Sequence, residues 1–453
     1  MGMKNRRREK RKKRQDDEPD IIIDGGILLT MVDGQEPISP ANILIKGDKI
    51  IDVLGPDEDI ADSGHARIID AKNAIIMPGL VNAHSHTAMT IFRGFADDLP
   101  LKQWLYEKIF PAEANYINPD TVYWGTLLGC LEMIGSGTTT VIDGYFYQDD
   151  TVRAVKKSGL RALLAQGVID FPAPGVSDPK ENLKAGRQFI ERWRDESDVI
   201  TPGLFCHSPL TCSRETLRKS KDVSEAFSLP LQIHLSETAG EVDEIMRKTG
   251  LRPVHYLDSL GLLDDALIAS HAVHLNEDEI ERLSGKGVRI VNVPESNMKL
   301  TSGIARIDKM VNMGMTVGIG TDGCASNNNL DLFQEMDTAA KIHKVHSMNP
   351  VVMDAETILR MATSWGAKIL GLENDIGTIE VGKKADIIVV GMENPHFVPL
   401  YHPMSTLVYA ADGGDVKDVI VNGRILMENR SFKTLNPEEI MGRVTAISRD
   451  IVA

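Results

Sequence analysis

The alternation of short apolar runs with stretches of helical pattern constrains the fold of this chain more than any other feature of its sequence. Helical patterns such as 208–227 and 276–285 separate the runs, which is the βα rhythm of a parallel sheet. Eight such units over roughly 250 residues predict an α/β fold with a (β/α)8 TIM barrel, whose chemistry lies at the C-terminal ends of the strands. The eight runs are residues 80–84, 138–143, 161–166, 203–207, 231–235, 267–271, 288–292 and 317–321.

Both ends of the chain have a different sequence pattern, in which short β-runs broken by turns replace the alternation of strands and helices. Turns are predicted at residues 25–26, 33–34 and 47–48, and residues 436–451 have the pattern of an amphipathic helix. The two β-rich ends predict one small β-sandwich built from both termini. The sequence therefore predicts a basic disordered tail (1–19), an N-terminal portion of the β-sandwich (20–77), the barrel (78–380), and a C-terminal portion of the β-sandwich that ends in a helix (381–453).

Charge separates the tail from the body of the chain. The first 14 residues hold nine of the 50 basic side chains and one of the 65 acidic ones, so the remainder carries 41 basic and 64 acidic residues, a net charge of −23. Such an acidic body argues against a nucleic-acid-binding surface. The tail is expected to be a solvated extension, although its arginines could also contact an anionic polymer.

Composition also indicates where the protein works. No apolar run of about 18 residues occurs, and acidic residues rather than an apolar segment follow the basic start, so neither a membrane span nor a signal peptide is expected. Cys130, Cys206, Cys212 and Cys324 are scattered without metal-finger spacing. This pattern is typical of reduced thiols in a cytoplasmic protein.

Metal-ligating side chains end several of the predicted strands. His84 and His86 are two apart at the end of the first strand, where both side chains point to the same face. His234 ends the fifth strand, His271 the sixth, and Asp322 follows the eighth. One histidine at a strand end is more often an ordinary polar residue, but five such side chains at one barrel rim predict a metal centre. Imidazole nitrogen suits zinc, iron and related metals.

Several motifs make the chain resemble the amidohydrolase superfamily and, within it, the 5′-methylthioadenosine/S-adenosylhomocysteine deaminase group. The resemblance covers nearly everything after the tail, and it implies a hydrolytic deaminase on a metal-dependent barrel. The motifs are PGLVNAHSH (78–86), HLSE (234–237), SHAVH (270–274), ESNMKL (295–300), GTDG (320–323), ASNN (325–328) and GTIEVGKKAD (377–386).

The resemblance implies one divalent metal per subunit, held by His84, His86, His234 and Asp322. Zinc is the expected ion, with Fe²⁺ and Mn²⁺ as alternatives. Relatives with two metals bridge them with a carboxylated lysine at the end of strand 4. Residues 205–208 here read FCHS, without a lysine, which favours a single metal.

The resemblance also implies catalytic roles for Asp322, Glu237 and His271. A metal lowers the pKa of water towards about 7 and makes hydroxide available to attack C6 of a purine. Asp322 would accept the proton of the water, Glu237 would deliver a proton to N1, and His271 would polarise the water. Glu237 needs a raised pKa for this task. Without the resemblance, it would be interpreted as a carboxylate that caps a helix.

Trp104, Glu113 and His207 match the family positions that contact the nucleoside, together with Glu237. A carboxylate at Glu113 would accept hydrogen bonds from both ribose hydroxyls. Their structural alternatives are a core tryptophan, a solvated helix glutamate and a histidine at the barrel rim. The arginines that could clamp the carboxylate of S-adenosylhomocysteine after strand 3 are not seen at Gln166 or in 170–178. The neutral substrates 5′-methylthioadenosine, 5′-deoxyadenosine and adenosine are therefore expected to fit better, although other basic groups could reach the site.

Two alternatives to an adenosine-type deaminase remain at the level of sequence. A related hydrolase on the same scaffold could act on guanine, 8-oxoguanine, an s-triazine or a cyclic amide, because fold alone does not decide function. A non-catalytic binding protein could also retain the barrel, but it would be expected to have lost a ligand or the proton-transferring glutamate. The expected partner is a small nucleoside, and a homo-oligomer is expected.

Overall fold

The computed structural model describes residues 18–58 and 64–452. The predicted disorder of the tail falls on residues 1–17, which lie outside the described residues. The described residues begin with five strands of a mixed sheet. They are β1 (Ile21–Leu28), β2 (Ile38–Lys46), β3 (Lys49–Leu54), β4 (Arg67–Asp70) and β5 (Ala74–Pro78).

The predicted turns at residues 33–34 and 47–48 are present, but the one predicted at residues 25–26 is wrong. Strand β1 continues through both glycines, with a register irregularity against β2 on each side of Gly26. A Cβ at Gly26 would lie 3.0 Å from the carbonyl oxygens of Ala71 and Ala74. Glycine therefore serves here to let two backbone segments approach closely inside a strand.

The middle of the chain forms a parallel barrel in which each strand pairs with the next along the sequence. An isolated parallel bridge between Ser85 and Asp322 joins the last strand region to the first. All eight predicted strands are found, so the predicted (β/α)8 barrel is confirmed. They are β6 (Leu80–Ser85), β7 (Thr138–Tyr145), β8 (Arg161–Val168), β9 (Ile200–Cys206), β10 (Leu231–Leu235), β11 (Leu267–His271), β12 (Arg289–Asn292) and β13 (Val317–Ile319).

The strands were recognisable in the sequence because both of their faces are buried. Val81, Ala83, Leu163 and Phe205 pack inside the barrel, whereas alternate residues pack outward against the helices. A strand buried on both faces has a nearly continuous apolar sequence. The helices around the barrel are Pro119–Gly135, Gln148–Ser158, Asn182–Trp193, Arg214–Phe227, Ala239–Thr249, Pro253–Ser259, Glu277–Gly285, Pro294–Lys299, Ile307–Asn312, Leu332–Ser347, Ala355–Met361 and Ser364–Leu370.

A helical segment inserted between β6 and the first large helix covers the C-terminal mouth of the barrel. It contains a 3₁₀ turn (Thr87–Phe92), short α-helices (Leu101–Gln103 and Phe110–Tyr116) and, between the latter two, a π-helical turn (Trp104–Ile109). Such π-helical turns are rare and occur frequently at functional sites. This one places Trp104 and Ile109 on the buried side.

The end of the chain returns to the first sheet, as predicted. Strand β14 (Ile387–Gly391) pairs antiparallel with β5, and β15 (Val416–Val421), β16 (Arg424–Glu428) and β17 (Ser431–Phe432) extend the sheet to nine strands. The remaining elements are α-helices Pro403–Tyr409 and Pro437–Val452 and 3₁₀ turns Pro179–Glu181, Pro395–Phe397 and Gly413–Asp415.

A buried ion pair joins the barrel to this sheet. Arg161, at the start of β8, donates to both carboxylate oxygens of Asp386, at 2.8 and 3.1 Å. Asp386 also accepts a hydrogen bond from the backbone N–H of Asn422. None of the helices within residues 18–58 and 64–452 combines the length and apolar character needed to cross a membrane.

Candidate active site

Four metal-ligating side chains meet at the C-terminal mouth of the barrel. His84 and His86 come from the end of β6, His234 from β10, and Asp322 from the segment after β13. All four are buried, and their ligand atoms lie within 4.8 Å of one another. Side chains as distant in sequence as His84 and His234, which are 150 residues apart, therefore share one point in space.

The spacing of these atoms fits a single cation. The Nε2 atoms of His84 and His234 are 3.2 Å apart. Oδ1 of Asp322 is 3.4 Å from Nε2 of His84 and 3.2 Å from Nε2 of His86. Four donors arranged tetrahedrally with bonds of about 2.1 Å lie about 3.4 Å from one another. The three imidazoles and one carboxylate therefore match the donor set and spacing of a divalent metal site.

Backbone geometry brings Asp322 against His84. The N–H of Asp322 donates to the carbonyl of His84 at 3.0 Å, and Asp322 itself has a left-handed conformation with φ of 60°. A Cβ at Gly320 would lie 2.6 Å from the backbone nitrogen of His84. Glycine at position 320 is therefore required for the close approach of the first and eighth strands at this site.

Hydrogen bonds on the outer side orient two of these ligands. Nδ1 of His86 lies 2.5 Å from the carbonyl oxygen of Gly144, so this nitrogen carries the proton and donates. The hydroxyls of Ser296 and Ser326 donate to Oδ2 of Asp322, at 2.7 and 2.8 Å. Nε2 of His86 and Oδ1 of Asp322 are thereby left to face the centre of the cluster, as is usual for metal ligands.

The electrostatics of the cluster also favour a cation. Burial lowers the pKa of His84 to about 4 and that of His234 well below its usual range, so both imidazoles are neutral ligands. Burial opposes the charged forms of His86 and Asp322, but their hydrogen bond outweighs it. The pKa of His86 rises to about 9, and that of Asp322 falls well below its usual range. The buried carboxylate thus attracts positive charge to this position.

Glu237 and His271 lie next to the cluster. Oε2 of Glu237 is 3.9 Å from Nε2 of His271, and Oε1 accepts a hydrogen bond from the Ser302 hydroxyl at 3.3 Å. Burial, aided by the charge of Asp322, raises the pKa of Glu237. Nδ1 of His271 lies 2.9 Å from Oδ1 of Asn297, so Nδ1 donates to this oxygen and Nε2 faces Glu237.

Glu237 is not the residue that caps the following helix. The N-cap of helix Ala239–Thr249 is Thr238, whose hydroxyl accepts from the N–H of Glu241. The carboxylate of Glu241 accepts instead from the N–H of Glu237, at 2.8 Å. The side chain of Glu237 is therefore free of a capping role and points into the pocket.

The three predicted substrate contacts line the same pocket as the cluster. Trp104 is 6% exposed, and its indole Nε1–H has no hydrogen-bond partner within the described part of the chain. Glu113 is buried rather than solvated. Its Oε1 accepts from the Tyr145 hydroxyl at 2.6 Å, and burial raises its pKa to about 7 despite this bond. Nδ1 of His207 lies 2.9 Å from the Thr211 hydroxyl.

The residues that support this site were not among those predicted from the sequence. Ser296 and Asn297 lie inside the motif at 295–300, so their hydrogen-bonding side chains beside a strand end were an available signal. Ser326 likewise lies inside the motif at 325–328. Ser302 has no such signal, because only the folded chain brings it to Glu237. Tyr145 ends the second barrel strand, where its hydroxyl could have been considered as a partner for a ligand or carboxylate.

The cluster predicts tight binding of one divalent ion. After dialysis against metal-free buffer, we expect about one ion per chain in the wild type, because one set of four donors is present. His234→Ala removes one imidazole and should lose most of this ion, measured by inductively coupled plasma mass spectrometry. His255→Ala, which removes an imidazole paired with Asp278 outside the cluster, should keep it. Equal metal content in both variants would contradict the assignment of this cluster.

Comparison with known proteins agrees with this geometry. The sequence matches the family described as Amidohydrolase family over residues 75–426. It is 46% identical, over 95% of this chain and 98% of the relative, to a 5-methylthioadenosine/S-adenosylhomocysteine deaminase of Syntrophobacter fumaroxidans. It is 43% identical, over 96% and 99% of the two chains, to a 5′-deoxyadenosine deaminase of Methanosarcina acetivorans.

A solved structure shares the whole architecture. The crystal structure of an adenosine deaminase from Xanthomonas campestris, with bound zinc, superposes with a TM-score of 0.93 at 36% identity. The superposition covers 96% of this chain and 98% of the other. The resemblance inferred from the sequence motifs is thereby confirmed. With a full-length fold, a matching family over most of its length and relatives above 40% identity, this chain belongs to the amidohydrolase family.

Proposed function

We propose that this protein is a metal-dependent deaminase of adenosine-type nucleosides. It hydrolyses the bond between C6 and the exocyclic amine of 5′-methylthioadenosine, S-adenosylhomocysteine or related adenosines, which releases ammonia and the inosine analogue. The observation that carries this proposal is the position of Glu237 and His271 beside the four-donor cluster in one pocket. The names of the relatives at 46% and 43% identity support the nucleoside substrate.

We propose zinc as the resident metal, held by His84, His86, His234 and Asp322. Three imidazoles with one carboxylate are a donor set that zinc accepts, and the superposed adenosine deaminase contains zinc. When bound, the ion would lower the pKa of a water molecule towards about 7. No lysine lines the pocket among the described residues, which supports one metal rather than two.

The protein's own side chains divide the proton transfers between them. Asp322 accepts a proton from the attacking water, since its carboxylate is ionised at neutral pH. Nε2 of His271 accepts a hydrogen bond from that water and so orients it towards C6. Glu237 donates its proton to N1 of the purine, where negative charge develops as C6 is attacked. The proton held by Asp322 then passes to the exocyclic amine, which leaves as ammonia when the C6–N bond breaks, and the remaining hydroxyl proton returns to Glu237. The raised pKa of Glu237 keeps more of this carboxyl protonated than in an exposed glutamate.

Three further side chains bind the nucleoside. The carboxylate of Glu113, held by the Tyr145 hydroxyl, accepts hydrogen bonds from the ribose. Trp104 packs against the substrate, and its indole N–H, which has no partner among the residues that the structure describes, is available to an acceptor on it. His207 contributes a neutral imidazole, because burial lowers its pKa to about 3. The three line the pocket around the same cluster.

The lining of the pocket favours neutral 5′ substituents. Neither lysine nor arginine is found among the lining residues within the structure as described, whereas three carboxyl groups are. Asp170 follows the third barrel strand but does not line the pocket. Its carboxylate accepts hydrogen bonds from the backbone N–H of Ser213 and the hydroxyl of Thr216, at the start of a helix. A substrate carboxylate would therefore lose solvation without gaining a cationic partner. We propose that methylthio and deoxy compounds are preferred to S-adenosylhomocysteine.

Glu237→Gln tests the proposed proton donor. We expect kcat to fall by about 10²- to 10⁴-fold, because the amide has no acidic proton to give to N1. Ammonia release and the absorbance change from adenine to hypoxanthine measure the rate, and metal content should stay at the wild-type level. Asp243→Asn, at an exposed site on the following helix, should keep wild-type turnover. Unchanged kcat in Glu237→Gln would remove this residue from the mechanism.

Glu113 predicts a pH-dependent affinity for the ribose. The carboxylate that accepts from two hydroxyls forms only as the pH rises through about 7, so KM should fall over that range. Glu113→Gln should raise KM about 10- to 100-fold at pH 8, because one hydrogen bond to a charged group is lost. It should also remove the dependence of KM on pH, because the amide does not titrate. KM for 5′-deoxyadenosine and its 2′-deoxy analogue, measured from pH 6 to 8, provides the check. Equal effects of the mutation on both nucleosides would contradict the assignment.

A substrate panel tests the preference at the 5′ position. We expect kcat/KM for 5′-methylthioadenosine, 5′-deoxyadenosine or adenosine to exceed that for S-adenosylhomocysteine by about tenfold or more. This ratio corresponds to a cost of roughly 1.4 kcal/mol for placing an unpaired carboxylate in the pocket. Guanine, 8-oxoguanine and an s-triazine belong in the same assay. Higher turnover of one of these three would favour the rival hydrolase on this scaffold, and higher turnover of S-adenosylhomocysteine would contradict the proposed 5′ preference.

A further inference from the structure

Glu335 is a completely buried glutamate behind the active site, on helix Leu332–Ser347, and the proposed mechanism gives it no task. Its two carboxyl oxygens receive hydrogen bonds from two different segments. Oε1 accepts from Nδ2 of Asn327 at 2.6 Å, and Oε2 accepts from the backbone N–H of Glu295 at 3.2 Å. One side chain therefore connects the segments that follow strands β12 and β13.

These two segments carry the hydroxyls that hold Asp322. Ser296 is the residue after Glu295, and Ser326 is the residue before Asn327. Both hydroxyls donate to the same atom, Oδ2 of Asp322, at 2.7 and 2.8 Å. Nδ2 of Asn327 donates in addition to the carbonyl of Thr321, the residue preceding Asp322, at 2.8 Å. On each of the two segments, the residue that is hydrogen-bonded to Glu335 is therefore the immediate sequence neighbour of a serine that orients Asp322.

Stability alone does not explain a carboxyl group at this position. Within residues 18–58 and 64–452, no lysine or arginine forms an ion pair with Glu335, and the neighbouring side chains that act on it electrostatically are other carboxyl groups, Glu295 first. A buried carboxyl without a cationic partner costs free energy that an apolar side chain of similar size would not. Its two hydrogen bonds to separate segments are the feature that an apolar residue could not replace.

We propose that Glu335 is a positioning residue for the metal centre, which acts by holding Ser296 and Ser326 on opposite sides of Asp322. With both hydroxyls in place, Oδ2 is occupied and Oδ1 is presented to the imidazoles of His84 and His86. The inference rests on the proposed metal site. Outer partners of metal ligands typically change metal affinity by about 10- to 100-fold when they are removed.

Metal affinity of the apo protein tests this role independently of turnover. Zn²⁺ is titrated into the full-length apo chain in competition with a chromogenic chelator, and Kd is compared between variants. Glu335→Met conserves volume but loses both acceptors, and we expect Kd to rise about tenfold or more. Glu335→Gln keeps the volume and one acceptor oxygen, so its Kd should lie between those of the wild type and Glu335→Met. If Glu335→Met does not fold, Glu335→Gln carries the comparison.

A matched control separates positioning from general destabilisation. Glu279 is also fully buried on a helix, but it pairs with Arg252 and caps its own helix, away from Asp322. Glu279→Met should lower the melting temperature of the apo protein and leave the Kd for Zn²⁺ unchanged. An equal rise of Kd in Glu279→Met and Glu335→Met would overturn the proposal, because affinity would then follow stability.

A double-mutant cycle identifies the route of the effect. Glu335→Met is introduced into the wild type and into a variant that carries Ser296→Ala and Ser326→Ala. The change in log Kd should be less than half as large in this variant as in the wild type, because the hydroxyls through which Glu335 acts are gone. Full additivity would overturn the proposal, as would an unchanged Kd in Glu335→Met. Failure of the wild type itself to bind Zn²⁺ would overturn the metal site on which the proposed function rests, and this result is distinct from the other two.

Discussion

The structure depends on the convergence of three imidazoles and one carboxylate on one point at the mouth of the barrel, where together they can hold a cation. The Nε2 atoms of His84 and His234 are both turned inward and lie 3.2 Å apart, a separation that suits two ligands of one cation. Bringing them together requires strands 1, 5 and 8 of a barrel, with glycine at position 320 where two strands nearly touch. The barrel is therefore the frame that keeps this set of donors in place.

Burial around the cluster separates the side chains by protonation state. His84, His207 and His234 are held neutral, whereas Glu113 and Glu237 have raised pKa values because they share the same apolar pocket. Hydrolytic deamination at neutral pH needs a carboxyl that holds its proton more strongly than an exposed glutamate, next to an ionised aspartate. Burial raises the pKa of Glu237, whereas for Asp322 burial is outweighed by hydrogen bonds with imidazoles of the cluster, which lower its pKa. The helical segment over the mouth contributes Trp104 and Glu113 to this pocket, so it helps to create the environment that shifts these groups.

The elements of the fold that could be predicted are those encoded by local patterns. All eight barrel strands were recognisable because strands buried on both faces are almost entirely apolar. The turn predicted at Gly25 and Gly26 was wrong, because glycine there relieves a close contact with Ala71 and Ala74 inside a strand. Glycine indicates backbone freedom or close approach, and only the neighbouring segments show which of the two applies.

For the candidate site, the sequence by itself determined which groups stand at the strand ends, namely His84, His86, His234, His271 and Asp322, and their residue types indicate a metal. The proton-donor role of Glu237 was implied only by the resemblance to the amidohydrolase superfamily. Only the tertiary structure decided which oxygen of Asp322 faces the imidazoles, that Glu113 is buried under the Tyr145 hydroxyl, and that Glu335 connects the segments carrying Ser296 and Ser326. The physical reason is that strand periodicity sets the direction of a side chain locally, whereas its hydrogen-bond partners and its pKa depend on groups that are distant in sequence and meet only when the barrel closes.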